Sequence, residues 1–107
     1  MLLLPPQGYL EMLGLMRDAT LVLTDSGGLQ EETTVLGVPC VTLRENTERP
    51  ITVDEGTNEL AGTEPRRVIQ LATAAIEGRA KRGRRPALWD GNAARRIVEV
   101  LARELAA

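Results

Sequence analysis

In the run LVLTDSGGLQEETTVL at residues 21–36, Ser26, Gly27 and Gly28 are the residues best equipped to hold an anion. A short apolar stretch, residues 21–24, leads straight into Asp25, Ser26 and the two glycines, and a helical pattern runs from Leu29 to Leu36. Glycine has no Cβ, so its backbone N–H can approach a phosphate closely. At a helix start those N–H groups are unsatisfied donors, and the helix dipole favours negative charge there. Ser26 either caps the helix or gives its hydroxyl to the same phosphate. On spacing alone, a plain tight turn with an N-cap accounts for Ser-Gly-Gly equally well.

Glu32 stands four residues beyond Gly28 and therefore on the same helix face, one turn along. A carboxylate there repels a phosphate placed on it but accepts hydrogen bonds from neighbouring sugar hydroxyls, which fits a ribose. Ordinary enrichment of acids early in a helix also explains Glu31 and Glu32. Arg49 precedes Pro50 at a loop-to-helix junction after the next strand-like run, on the same sheet edge if the strands are parallel. Its guanidinium suits a diphosphate, although an arginine between Glu48 and Pro50 also reads as a surface residue.

The elements that must position these groups alternate between short strands and helices. Residues 2–4 form an apolar run ended by Pro5 and Pro6, and residues 21–24, 40–43 and 58–61 supply three further strands. Between them, Tyr9, Met12, Leu13 and Met16 recur at helical spacing, although Gly14 weakens that helix by about 1 kcal/mol. Gly37 ends the helix that follows the glycines, and a short helix runs from Pro50 to Glu55. Thr63 reads as an N-cap ahead of Pro65, with Val68, Ile69, Ala72 and Ile76 along one helix face. Ile97, Val98, Leu101 and Leu105 mark a final amphipathic helix.

This alternation predicts an α/β fold, a three-layer parallel sheet flanked by helices. A mononucleotide-binding sheet has about five or six strands, so the first residues read as the middle of such a domain.

At 107 residues the chain is one domain, and with Tyr9 and Trp89 as its only aromatic residues its core is expected from Leu, Val, Ile and Ala. Thirteen basic and fifteen acidic residues give a net charge of -2, too small a field to argue for nucleic acid or an anionic membrane. The one basic cluster, RAKRGRR at residues 79–85, reads as a solvated loop. With a single cysteine, Cys40, and no histidine, intrachain disulfides and His-containing metal sites are excluded. Cys40 reads as a small buried hydrophobe. The apolar start is too short for a signal peptide or membrane span, so a cytoplasmic location is expected.

Taken together, LTDSGGLQEE at residues 23–32, LGVPCVTLRENTERP at 36–50 and EGTNELAGT at 55–63 closely resemble the C-terminal domain of the non-hydrolysing UDP-N-acetylglucosamine 2-epimerases. LPPQGYLEMLGLM at residues 4–16 resembles the family just upstream, and WDGNAARRI at 89–97 stands where the family has a Tyr-Gly-Asp-Gly-like segment. The resemblance implies a partial Rossmann-like domain, residues 1–107, of a two-domain, GT-B-like enzyme. It implies that Ser26, Gly27 and Gly28 hold the diphosphate, that Glu32 binds the ribose and that Arg49 contacts the nucleotide sugar. Gln7 matches a position near the uracil, and Met12 falls where the family often carries an aromatic ring.

The family reaction eliminates UDP to leave a 2-acetamidoglucal and adds it back to give the C2 epimer, with no cofactor. The family's acid/base carboxylates lie in its N-terminal domain and its histidine upstream of this segment, so no catalytic residue is assigned here. UDP or UDP-N-acetylglucosamine is the expected ligand, and an N-terminal epimerase half or a second copy the expected protein partner. A stand-alone nucleotide-sugar binding module and the donor-binding part of a glycosyltransferase are the alternatives. In every case an apolar sheet edge or face is expected to lie uncovered.

Overall fold

Each short strand in this chain is followed by a helix that carries the chain back to the strand's starting end, and that connection favours parallel neighbours. The computed structural model describes residues 1–105. In chain order the elements are α1 (Tyr9–Arg17), β1 (Val22–Thr24), α2 (Gly27–Leu36), β2 (Cys40–Thr42), α3 (Pro50–Asp54), β3 (Asn58–Leu60), α4 (Pro65–Ile76) and α5 (Ala93–Leu105). The strands pair in parallel in the order β1-β2-β3, with Val22 opposite Cys40 and Cys40 opposite Asn58.

Alternation along the strands then decides the layers. Cys40, Thr42 and Asn58 share the face against α2, where Thr42 donates to Asn58 and Asn58 to Gln30. Val41 and Glu59 share the opposite face, beside α4. The result is the expected three-layer arrangement. All of β2 is buried, as a central strand covered on both sides should be.

Residues 2–4 do not form the expected strand. Leu2 and Leu3 are exposed, and among the described residues no backbone hydrogen bond ties this segment to β1. An apolar run becomes a strand only where a neighbouring edge satisfies its polar backbone, and Pro5 and Pro6 remove two donors beside it. α2 begins at Gly27, two residues before the periodicity predicts, and it closes at Gly37. Gly37 has φ 74°, the left-handed region that favours glycine, and its N–H meets the carbonyls of Thr33 and Thr34. The cap of α4 is Glu64, which accepts from the N–H of Arg66, rather than Thr63, because Pro65 occupies the first helical position.

The interior is more polar than composition implies. Met16, Val38, Cys40, Val41, Ala61 and Ala75 are buried, but the largest fully enclosed side chains include Gln30 and Asn58, at 1% and 0% exposure. Threonines 33, 42 and 52 lie with them. They are tolerated because they hydrogen-bond one another or a carbonyl. Cys40 is enclosed as expected, and burial pushes its thiol pKa up.

The basic segment is the expected loop, with Arg79, Arg82, Arg84 and Arg85 exposed, and it is also tied to α3. Lys81 Nζ donates to the carbonyl of Val53 at 2.6 Å, the N–H of Arg84 donates to that of Glu55 at 2.7 Å, and the Arg84 side chain pairs with Glu55 at 3.0 Å. The segment straps the end of α3. α5 has an ordered start, with Asp90 accepting from the N–H of Asn92 at 2.9 Å, but none of its residues is buried.

Candidate functional site

β1 ends at Thr24, whose hydroxyl accepts the N–H of Ser26 at 3.0 Å and folds the chain sharply through Asp25 into α2. Ser26 is the N-cap by backbone position, with φ −84° and ψ 128°, yet its hydroxyl makes no capping bond. Ser26 is exposed, and among the described residues its hydroxyl has no hydrogen-bond partner. The N–H of Gln30 reaches the carbonyl of Ser26 at 3.4 Å, while among the described residues no acceptor meets the N–H groups of Gly27, Gly28 or Leu29. Three donors therefore point out of the helix start at the carboxyl edge of the sheet.

Neither glycine of the turn has a positive φ, so what they contribute is room. A Cβ added at Gly28 would come no nearer than 3.9 Å to any neighbour, the Ser26 hydroxyl. A Cβ added at Gly27 would lie 3.9 Å from Arg49 Cζ, so the guanidinium stands directly over the start of α2. Glu31 holds it there, accepting from Arg49 Nε at 2.5 Å, and Glu48 lies 3.5 Å from Nη1. The Glu31 hydrogen bond raises the Arg49 pKa further above its already high value, keeping the group charged at every physiological pH. The side chain keeps 40% of its surface open, enough to meet an anion.

The two adjacent glutamates thus have different roles. Glu31 pairs with Arg49, whereas among the described residues Glu32 has no hydrogen bond or ion pair. Glu32 lines a groove of about 720 Å³ between α1, α2 and residues 85–93, with Tyr9, Leu13, Leu36, Leu88 and Trp89 among its walls. A carboxylate without a partner beside apolar walls is an acceptor available to a hydroxylated ligand.

The structure brings Ser26, Gly27, Gly28 and Arg49 together and sets Glu32 one turn along the same helix. Gln7 and Met12 are not drawn into that cluster: the Gln7 amide donates to the carbonyl of Pro5 at 2.9 Å, and Met12 is half-buried on α1.

Periodicity did not reveal Gln30, Thr47, Thr52 and Asn58, which form a hydrogen-bonded group beneath the Arg49 backbone. One signal was available. Asn58 shares one face of its strand with Leu60 and alternates with Glu59, and an amide on the inward face requires partners.

Comparison with known proteins agrees across the chain. The sequence model of the family described as UDP-N-acetylglucosamine 2-epimerase matches residues 1–102. A UDP-N-acetylglucosamine 2-epimerase of Methanococcus maripaludis is 46% identical over 99 residues, 92% of this chain and 26% of that protein. One from Escherichia coli K12 is 41% identical over 105 residues, 94% of this chain and 28% of the relative. Among solved structures, the Methanocaldococcus jannaschii UDP-GlcNAc 2-epimerase in complex with UDP-GlcNAc and UDP superposes with a TM-score of 0.76 at 45% identity. It covers 94% of this chain, which in turn covers 27% of it. The UDP-GlcNAc-bound enzyme from Neisseria meningitidis gives 0.73 at 39% identity, over 94% of this chain and 28% of its own. The chain therefore spans about a quarter of the length of the relatives it matches.

Proposed function

Because the chain belongs to the UDP-N-acetylglucosamine 2-epimerase family, we propose that it supplies the site for the leaving group of that reaction, the UDP moiety of UDP-N-acetylglucosamine. The observation that carries this reading is the Arg49 guanidinium over Gly27, beside the open N–H groups at the start of α2. A diphosphate meets there a fixed positive charge, a helix dipole and the free Ser26 hydroxyl. The ribose hydroxyls bond Glu32, and the uracil lies toward Gln7 and Met12. UDP-bound relatives of the same fold support the choice of ligand.

In the family's elimination and re-addition, these groups stabilise the charge that gathers on departing UDP. Removing and returning the C2 proton needs a side chain within roughly 2.6 to 3.2 Å of it. Glu31 is engaged with Arg49, and Glu32 is assigned to the ribose, so neither is available as that base. The proposal is therefore a binding portion that does not epimerise by itself, completed by an N-terminal epimerase half.

Calorimetric titration tests the ligand: UDP binds, UMP binds more weakly and uridine is not detected, because the diphosphate carries most of the attraction. Equal affinity for all three overturns the assignment. An NMR time course with UDP-N-acetylglucosamine in deuterated water tests the chemistry, with neither manno epimer nor C2 deuterium expected. Either signal above a Gly28→Val control refutes the claim of inactivity.

A further inference from the structure

We propose that Gln30, Thr47, Thr52 and Asn58 form a positioning device, a closed ring of hydrogen bonds that sets Arg49 against the start of α2 before any ligand arrives. The proposal rests on the reading of that corner as an anion site. The ring runs through the Arg49 backbone from both sides. On one side the N–H of Arg49 donates to Thr47 Oγ1 at 2.9 Å, and Thr47 donates to Gln30 Oε1 at 2.5 Å. On the other the carbonyl of Arg49 accepts from Thr52 Oγ1 at 2.7 Å, and Thr52 accepts from Asn58 Nδ2 at 3.1 Å. Asn58 Nδ2 closes the ring by donating to Gln30 Oε1 at 3.0 Å.

Each hydroxyl in this ring has one available sense. Thr47 gives its proton to Gln30 and so accepts from Arg49, whereas Thr52 gives its proton to the Arg49 carbonyl and so accepts from Asn58. The Asn58 amide is oriented by Thr42, which donates to its Oδ1 at 2.5 Å. A reversed amide would set oxygen against the Gln30 oxygen. Four enclosed or half-enclosed side chains from α2, α3, β3 and the 43–49 loop thus agree on one placement of one backbone unit.

Stability alone does not account for this ring, since well-packed apolar side chains hold a core as firmly as a buried polar network. What the ring adds is orientation. Arginine has a long, freely rotating side chain, and an anion that must order it loses affinity. Here the backbone is set by the ring and the guanidinium tip by Glu31, so the charge waits in place.

The test uses the whole chain and four variants: Thr47→Val, which keeps shape and removes the hydroxyl, Thr47→Ser, which restores it, Arg49→Ala, and Thr47→Val combined with Arg49→Ala. Two readouts are taken, the NMR order of the Arg49 Nε–H without ligand and the calorimetric affinity for UDP. Thr47→Val is expected to mobilise Nε–H and weaken UDP roughly tenfold, the scale of one hydrogen bond to a charged group. Thr47→Ser should restore both. In the Arg49→Ala background, Thr47→Val should change affinity less than about twofold, because its effect passes through Arg49. An unchanged Nε–H, or an equal loss in the Arg49→Ala background, overturns the proposal. If Nε–H order depends on Thr47 but the native chain does not bind UDP, the device stands and the ligand assignment falls. Should valine prevent folding, Thr47→Ala gives the same comparison.

Discussion

At Gly28 the requirements of the protein and of the proposed ligand separate cleanly. An added Cβ meets nothing closer than 3.9 Å and the backbone has an ordinary φ, so Gly28→Val is compatible with the fold. The same side chain fills the space above the open N–H groups. UDP affinity should therefore fall at least about tenfold, whereas unfolding stability should change by less than about 1 kcal/mol. Calorimetry alongside thermal melting checks the pair, and retained affinity removes the diphosphate from this turn. Glu32→Ala should weaken UDP by about 1 to 3 kcal/mol yet leave pyrophosphate binding unchanged, because its partner is the sugar. A matching loss for pyrophosphate would assign Glu32 to the anion.

Between elements, Gly83 of the basic strap rests on the backbone of Gly56 after α3. A Cβ at Gly83 would overlap the Gly56 backbone, and one at Gly56 would collide with Thr34 and the Thr52 carbonyl. Gly83→Ala should cost about 1 to 3 kcal/mol by overpacking, since rigid backbone cannot yield as a side-chain tip can. Gly14 within α1 gives the opposite sign. Nothing lies within 4 Å of an added Cβ there and its φ is not positive, so Gly14→Ala should gain about 0.5 to 1 kcal/mol from helix propensity. Urea unfolding of both variants measures the contrast, and equal shifts would contradict this account of the strap.

Over the whole molecule, the radius of gyration of 16.5 Å exceeds the roughly 13 Å of a compact chain of this length, and the longest extent is 58 Å. Much of the apolar surface is uncovered. Leu2 and Leu3 are exposed, as are Ile97, Val98, Leu101 and Leu105 along α5. A helix whose apolar stripe faces water gains by burying it against another surface, at about 25 cal/mol per Å² of apolar area. Sedimentation velocity should show concentration-dependent self-association of the 107-residue chain, reduced by Ile97→Glu with Leu101→Glu. A monomer at all concentrations would show that this surface does not drive association.

The sequence by itself determined what is local. The Ser-Gly-Gly turn, the helix after it, the stop at Gly37 and the three strands at 22–24, 40–42 and 58–60 follow from residue types acting on their own backbone. Alternation of strand and helix was enough to require parallel pairing. Tertiary structure decided which contacts those elements make. Residues 2–4 have the composition of a strand but, among the described residues, pair with neither edge of the sheet. Glu31 and Glu32 look alike in sequence, and only packing shows that Glu31 pairs with an arginine 18 positions away while Glu32 faces the groove. The Asn58 to Gln30 bond spans 28 positions and crosses from β3 to α2. Hydrophobic periodicity reports which face of an element is buried, but hydrogen bonds depend on ångström-scale placement of donors on separate elements, and packing sets that placement.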